Sequence, residues 1–223
     1  MESEMEQKIL DKNQTMLTQF RFLLFLGALL VGSWSTWLHA DQLGQMPPEK
    51  TPGEPASSSF LLVAGKQMPD PRFRKTVLVV TTHGKSGPIG VIVNRSEDIK
   101  LDQLFPDTPA AKELSLFYGG PAYPKQISYL VRGGSAVKGA LTVSSNIYLA
   151  YDIPTLGELL NGKRPQKDLR VMHGLASWAP GQLEYEIKLG SWYVMPFDET
   201  VIFDHPPAGI WQELYNRANS IEL

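Results

Sequence analysis

The sequence predicts an α+β fold: a mainly antiparallel, bulged sheet flanked by short helices and preceded by one N-terminal hydrophobic helix. Two observations predict it. Strand-like pairs of segments are mixed with separated short helical segments, an order typical of α+β domains. Residues 76–95 also read TVLVVTTHGKSGPIGVIVNR, two β-branched runs around a glycine-containing loop, which is the pattern of a central hairpin.

The predicted hairpin consists of strands at 76–82 and 88–94 joined by the loop 83–87. β-Branched side chains are stiff and pack well on a pleated surface. The runs are continuous rather than alternating, which favours strands covered on both faces. Gly87 can adopt the positive φ that a reversal needs, and Pro88 suits the first position of a strand because it cannot donate to the ladder.

The other elements follow in order along the chain. A helix over 153–161 is expected to begin after Asp152 as its N-cap and to end before Gly162. A short strand is expected just before the turn-rich loop 117–124. Further strands are predicted at 60–64, 126–131, 140–143, 147–150, 169–173, 191–194 and 200–203, and further helices at 96–105, 181–189 and 207–218.

The 223 residues divide into three parts. Residues 1–40 form a signal peptide or a signal anchor, 41–58 a disordered Pro-rich linker, and 59–223 one domain with a sizeable core. The linker contains four prolines and no aromatic residue, so it cannot bury a core of its own. The composition, 43% hydrophobic and 20% charged, is ordinary for a globular protein.

The N-terminal part carries an uncharged apolar run over 22–38, preceded by Arg21. A run of about 17 residues is the lower limit for a spanning helix, and positive residues before it favour a cytoplasmic N-terminus. The domain is therefore expected outside the cytoplasm, either anchored in the inner membrane or periplasmic. Cleavage after Ala40 and a start at Met16 instead of Met1 both stay open.

Composition excludes several classes of function. The chain has no cysteine, which excludes disulfides, thiolate nucleophiles and Cys-ligated zinc. The four histidines lack the spacing of a metal site, and no metal or cofactor is expected. From Ser59 onward there are 17 basic and 16 acidic residues, without the basic excess typical of nucleic-acid binding.

Several polar residues are candidates for chemistry. His83 could be a general base or could cap the hairpin. The sequence HGKS at 83–86 is not a phosphate loop, because Val79 stands where a glycine is required and a strand follows. Glu184 and Glu186 could act as an acid–base pair. Two residues apart on a helix, however, they face different sides, so we expect one to be solvated and the other paired locally.

Other candidates have a binding role and a structural alternative. Asn94 and Arg95 end the second hairpin strand, and Arg95 could bind an anion or form a buried or rim salt bridge that locks the loop. The run Gly119–Gly120–Pro121 is typical of a tight turn. Trp178 is expected in the core more often than on a ligand platform.

Several motifs together resemble the YqgE/AlgH family. They are DPRF at 70–73, GPIGVIVNR at 87–95, GGP at 119–121, and SWAPGQLEYEI at 177–187 followed by SW at 191–192. The resemblance spans residues 60–221. It implies an α+β fold with a bulged antiparallel sheet, and it implies no catalytic residues, since the family has no established biochemical activity. One branch is associated with regulation of alginate production. Family members usually lack an N-terminal apolar extension and are cytoplasmic.

The resulting hypothesis is a non-enzymatic binding or regulatory module, tethered to or exported across the inner membrane, with an unknown protein or small-molecule partner. A hydrolase-type enzyme using His83 with a carboxylate and a cytoplasmic transcriptional regulator are the alternatives. The candidate binding surface consists of residues in loops that flank the sheet, where function often resides. They are His83, Asn94, Arg95, Gly119, Gly120, Pro121, Trp178, Gln182 and Glu184.

Overall fold

A computed structural model describes residues 59–82, 87–133, 139–162 and 166–221. Within these residues the chain forms one ten-stranded sheet. The strands are β1 (Ser59–Ala64), β2 (Val77–Thr82), β3 (Pro88–Ile92), β4 (Ser96–Lys100), β5 (Ser115–Tyr118), β6 (Ala122–Arg132), β7 (Leu141–Thr142), β8 (Ile147–Ala150), β9 (Leu169–Ser177) and β10 (Trp192–Pro196).

The sheet is almost entirely antiparallel. Its order is β10-β1-β2-β3-β9-β6-β8-β7, and β5 pairs with both β9 and β4. Only the β5–β9 pairing is parallel among these described strands. Register shifts in β4–β5 and β6–β9 mark bulges, which increase the local twist of a sheet. The predicted bulged, mainly antiparallel sheet is confirmed, while the predicted N-terminal helix and linker lie outside the described residues.

The central hairpin is confirmed as β2 and β3. Their register aligns Leu78 with Ile92 and Val80 with Gly90. The apolar side chains of both strands are buried on both faces, as their continuous apolar runs indicated. Residues 83–86 of the connecting loop lie outside the described part of the chain.

Four α-helices flank the sheet in the described residues. They are α1 (Ile153–Asn161), α2 (Gln182–Lys188), α3 (Glu199–Phe203) and α4 (Ile210–Ile221). Asp152 caps α1 as predicted, its carboxylate accepting from the Thr155 N–H at 2.8 Å. Leu156 and Leu160 of this helix are buried in a second, smaller core formed with β6 and β9.

Helices α2 and α4 lie on opposite faces of the sheet at its β10 edge. Consecutive strand residues point to opposite faces. The Trp192 indole donates to Glu186 of α2 at 2.8 Å. The Tyr193 hydroxyl donates to Asn219 of α4 at 3.1 Å, and its ring contacts Tyr215 edge-on. The larger core fills the space around β1, β2, β3 and β10.

The short helix predicted within 96–105 is found only as a 3₁₀ turn in the second half of that segment. Residues Ser96–Lys100 form β4, which alternates between exposed and half-buried positions, and only Leu101–Gln103 form a 3₁₀ turn. The strand forms because its backbone pairs with β5, a partner that the local pattern does not reveal. Leu101 is fully buried in the smaller core, so the apolar residues of the segment anchor the turn after the strand.

The predicted strand at 200–203 is wrong, because these residues belong to α3. Asp198 caps this helix, and its carboxylate accepts from the Thr200 N–H at 3.0 Å and the Thr200 hydroxyl at 2.7 Å. The β-branched residues favour a strand, but the cap and burial of three consecutive apolar side chains outweigh that preference. A run of consecutive apolar residues therefore does not distinguish a buried strand from a short buried helix.

Some boundaries differ from those predicted. β6 begins at Ala122 rather than 126, and β9 extends to Ser177 rather than 173. The last helix begins at Ile210 rather than 207, after Gly209 with a φ of 97°.

No helix in the described ranges is long and apolar enough to cross a membrane. The apolar run 22–38 lies outside those ranges.

Candidate functional site

The residues of the predicted binding surface lie in three places. Asn94 and Arg95 follow β3, Gly119–Pro121 joins β5 to β6, and Trp178, Gln182 and Glu184 surround the start of α2. His83 lies outside the described residues. Edge-on ring contacts run from Phe73, in the turn before β2, through Trp192 to Trp178 in the third place, with centroid distances of 5.5 and 6.3 Å.

Asn94 binds backbone groups of the neighbouring turn. Its amide oxygen accepts from the Val77 N–H at 2.8 Å and its amide nitrogen donates to the Lys75 carbonyl at 3.0 Å. Lys75 has a φ of 56°, a left-handed conformation that costs energy for a residue with a Cβ. The Asn94 side chain therefore holds this strained turn against the hairpin.

Arg95 binds the same turn through two further carbonyl groups. Its guanidinium donates to the Arg72 carbonyl at 2.6 Å and to the Arg74 carbonyl at 3.0 Å. It also lies over the Tyr118 ring, 5.6 Å from the centroid. These contacts hold the loop, as one of the two roles considered from the sequence expected, but through backbone carbonyls and not through the expected salt bridge. An anion at Arg95 would compete with these bonds.

Gly119 and Gly120 cross β9 at close range. The Gly119 N–H donates to the His173 carbonyl at 2.7 Å, and its carbonyl accepts from the Ile92 N–H at 2.9 Å. A Cβ on Gly120 would overlap the Leu175 carbonyl group, and one on Gly174 would overlap the Gly120 oxygen. Both glycines have positive φ, 150° and 69°. The GGP motif is thus one half of a backbone crossing.

Gly174 is the other half of that crossing, and sequence reasoning missed it. A glycine inside a predicted strand marks a bulge or a close backbone approach. The predicted strand ended at residue 173, one position too early to include Gly174, and the partner Gly120 lies more than fifty residues earlier in the chain.

The Glu186 carboxylate on α2 accepts hydrogen bonds from several of the motif residues near the start of that helix. Glu186 accepts from the indole N–H groups of Trp178 at 3.0 Å and Trp192 at 2.8 Å, and from the Gln182 side-chain amide at 2.9 Å. The Gln182 oxygen in turn accepts from the Ala179 N–H at 3.0 Å. The motif SWAPGQLEYEI therefore contains a closed hydrogen-bond network that fastens α2 to the sheet.

Glu184 lies on the other side of α2 and is exposed. The expectation that one of the two glutamates is solvated and the other paired locally is confirmed, with Glu186 as the paired residue. Trp178 is buried as expected for a core residue. Gly90 accommodates its ring, because a Cβ on Gly90 would lie 3.2 Å from the Trp178 Cζ3.

An ion pair that the sequence did not indicate joins β9 to β4. His173 Nε2 lies 2.9 Å from a Glu97 carboxylate oxygen, and Nδ1 lies 3.2 Å from the Pro124 carbonyl oxygen. The hydrogen bond with Glu97 raises the pKa of His173, against the opposing effect of burial. Both ring nitrogens face oxygen acceptors, which suits the imidazolium with two N–H donors.

Two arginines also join distant segments. Arg132 donates to Asp168 at 2.9 Å and to both oxygens of Asp204 at 2.8 Å. Arg170 is buried and donates to the Val93 carbonyl at 2.6 Å. Burial lowers the pKa of Arg170 to about 10, so its guanidinium stays charged at neutral pH.

The exposed large apolar residues of the described chain lie together in sequence. Tyr185 is 62% exposed, Leu189 63% and Val194 50%. Tyr185 and Leu189 are one helical turn apart and share a face. Val194 lies two residues after Trp192 and so points to the same sheet face as α2. We call Glu184, Tyr185, Lys188, Leu189 and Val194 the α2–β10 surface.

The comparisons with known proteins agree with the motifs. The AlgH-like family model matches residues 61–221. A UPF0301 protein of Methylococcus capsulatus is 34% identical over 161 residues, covering 70% of this chain and 85% of that protein. A UPF0301 protein of Myxococcus xanthus is 30% identical over 156 residues, covering 68% and 84%.

The fold is similar to that of solved structures. The AlgH protein from Pseudomonas aeruginosa superimposes with a TM-score of 0.60 at 25% identity, covering 79% of this chain and 93% of that one. Protein DIP2367 from Corynebacterium diphtheriae gives a TM-score of 0.58 at 22% identity, which shows the fold alone. From the family model and the sequence relatives together, we conclude that this chain belongs to the YqgE/AlgH family.

Proposed function

We propose that this protein is a non-enzymatic binding module that contacts a protein partner through the α2–β10 surface. One observation carries the proposal: all three large apolar side chains that are at least half exposed in the described residues fall within ten positions, on α2 and β10. Scattered single exposed apolar residues are normal, whereas grouped ones mark interaction sites.

The interior contacts support binding rather than catalysis at the motif residues. Asn94, Arg95, Gln182 and Glu186 each hold backbone or side-chain groups of the domain itself. Of the candidate surface residues near α2, Glu184 belongs to the α2–β10 surface. In this proposal the internally bonded motif residues build a rigid platform, and the exposed residues of α2 and β10 contact the partner.

The location of the module forms a second element of the proposal. The apolar run 22–38 with Arg21 before it and the proline-rich linker 41–58 would hold the domain at, or export it across, the inner membrane. Protease accessibility in fractionated cells tests this element. Full-length protein digested only from the periplasmic side, or a periplasmic species beginning near Asp41, supports it. Full-length protein in the cytoplasmic fraction contradicts it.

Site-specific photo-crosslinking tests the binding surface. A photoreactive benzoylphenylalanine replaces Tyr185 in the full chain, and the same residue replaces exposed Ser96 on β4 as a matched control. After illumination of intact cells, we expect a crosslinked protein product from position 185 and none from position 96. No product at position 185, or equal products at both positions, would contradict the proposed surface.

A further inference from the structure

We infer that the partner at the α2–β10 surface is a second copy of this chain, joined by antiparallel pairing of β10 with β10 around a two-fold axis. This inference rests on the proposed function, because it names the occupant of the same surface. It is carried by three features of that edge: its outward backbone groups, the arrangement of its exposed apolar residues and the charges at its two ends.

The backbone of β10 offers a short row of hydrogen-bonding groups at the edge of the sheet. In the described residues, β10 pairs with β1 on one side and with no strand on the other. The Gly65 N–H donates to the Ser191 carbonyl at 2.9 Å, and these two residues continue the register that aligns Ala64 with Trp192. Bonded and non-bonded pairs alternate along an antiparallel ladder. Tyr193 therefore bonds towards β1, and Trp192 and Val194 direct their N–H and C=O groups outwards.

These outward groups are complementary to themselves. An antiparallel copy centred on Tyr193 aligns Trp192 with Val194 of the second copy, and the reverse pair follows by symmetry. The N–H and C=O groups of both residues then all find partners, making four hydrogen bonds across the axis. A register centred on Val194 would also make four bonds, but it places Trp192 opposite Pro196, which has no N–H, and so leaves the Trp192 carbonyl without a partner. Disulfide trapping at Tyr193 distinguishes the two registers.

The same axis brings the exposed apolar residues together. A two-fold axis perpendicular to a sheet keeps each face of both copies on the same side, as isologous contacts require. Both α2 helices therefore flank the joined sheet on one face. Tyr185, Leu189 and Val194 of each copy would lie around the axis there. A single added peptide strand would satisfy the β10 backbone but would cover less of α2.

The charges at the two ends of β10 also suit antiparallel pairing. Lys188 precedes the strand, and Asp198 and Glu199 follow it. Reversal of direction places the basic end of one strand beside the acidic end of the other. Parallel pairing would place like charges together, which is unfavourable.

The molar mass of the full chain in mild non-ionic detergent tests this inference. Light scattering after size exclusion, with the detergent mass subtracted, should give a mass that rises from one chain to two as concentration increases. Val194→Lys and Val194→Pro should remain monomeric and folded, with circular dichroism spectra like that of the wild type. The N–H that the proline removes points outwards, so the hydrogen bonds between β10 and β1 are retained. Ser96→Lys adds the same charge at an exposed strand position on β4 and should dimerise like the wild type.

Disulfide trapping gives a second readout, because the chain contains no other cysteine. In the proposed register, Tyr193→Cys lies opposite itself in a non-hydrogen-bonded pair, about 4.5 Å between Cα atoms, which is within disulfide range. Mild oxidation should produce a covalent dimer of Tyr193→Cys and none of Ser96→Cys. Failure of Tyr193→Cys to crosslink in a sample that dimerises would overturn the register.

The outcomes separate this inference from the proposed function. A monomer at all concentrations, together with a crosslink from position 185 to a different protein, overturns the inference and leaves the proposed function standing. A monomer without any crosslink from position 185 overturns both. A dimer that persists in both Val194 variants also overturns the inference, since its interface then lies elsewhere, for example in the apolar segment 22–38.

Discussion

The two faces of α2 differ in how their side chains are used. On the inner face, Glu186 accepts three hydrogen bonds from Trp178, Trp192 and Gln182. On the outer face, Glu184 and Tyr185 are exposed. Two glutamates separated by two positions lie about 200° apart around a helix, so identical residue types acquire opposite environments. The inner face of α2 is occupied by internal bonds, and its outer face is exposed in the described structure.

The same division extends over the rest of the domain. The Asn94 and Arg95 side chains bind turn carbonyls, and Gly120 and Gly174 allow two backbones to cross. These residues stabilise the platform on which the α2–β10 surface rests. Substitutions on the inner side should therefore lower stability, whereas substitutions on the outer side should alter association alone.

The largest effect is expected at the backbone crossing. Gly174→Ala should lower the free energy of unfolding by about 3 kcal/mol or more, because the added Cβ overlaps the Gly120 oxygen and the φ is positive. Chemical denaturation followed by circular dichroism measures it. Gly157→Ala in α1 is the control, since its Cβ meets no atom within 4 Å, and it should be neutral or stabilising by up to about 1 kcal/mol. Equal losses of stability in the two variants would show that the close approach of Gly174 to Gly120 does not require a glycine.

The second effect compares the two glutamates of α2 directly. Glu186→Ala should cost about 2–4 kcal/mol, because it leaves two indole N–H donors without their acceptor. Glu184→Ala should change stability by less than about 0.5 kcal/mol, as for most surface substitutions. Denaturation monitored by tryptophan fluorescence measures both. If Glu184→Ala were as costly as Glu186→Ala, the distinction between the faces would be lost.

A smaller effect is expected from the His173–Glu97 pair, and it depends on pH. The pKa of His173 is raised in the folded state. The stabilisation that the pair provides is therefore fully present below the unfolded-state histidine pKa of about 6.5, and it is lost as pH rises through the folded-state pKa. His173→Gln should therefore be destabilising by about 1 kcal/mol at pH 5, and this difference should shrink at pH 9. Melting curves across this range measure it; a difference that grows with pH would contradict the assignment.

The smallest effect on stability is expected on the outer face. The double variant Tyr185→Ser with Leu189→Ser removes exposed apolar side chains and should shift the free energy of unfolding by less than about 0.5 kcal/mol. Its self-association, measured by light scattering, should nevertheless be weakened. A large loss of stability would mean that these residues belong to the interior framework after all.

Part of the fold follows from local sequence. The β2–β3 hairpin was predictable because its β-branched runs are long and the turn is short. Helix α1 was predictable because its cap, Asp152, and its buried face, Leu156 and Leu160, are near one another in sequence. The paired and solvated roles of two glutamates on α2 followed from helical geometry. The partners of Glu186 were not predicted: Trp178 was expected only as a core residue, and Trp192 was noted only as part of a motif.

Other features arise from contacts that local patterns do not encode. β4 is a strand because β5 lies beside it, although its segment resembles a helix start. His173 and Glu97 are separated by 76 positions and meet only because β9 lies near β4. The need for glycine at position 174 becomes clear only from its close approach to the Gly120 backbone.

The sequence by itself determined the family, the central hairpin and the capped helix, because β-branched runs, caps and the positions of glycine act over a few residues. Only the tertiary structure decided which polar side chains form hydrogen bonds within the domain. That outcome depends on which distant strands become neighbours. It also decided that Tyr185, Leu189 and Val194 are exposed near the β10 edge, which pairs only with β1 in the described part of the chain, since exposure is a property of the packed sheet and not of the residue type.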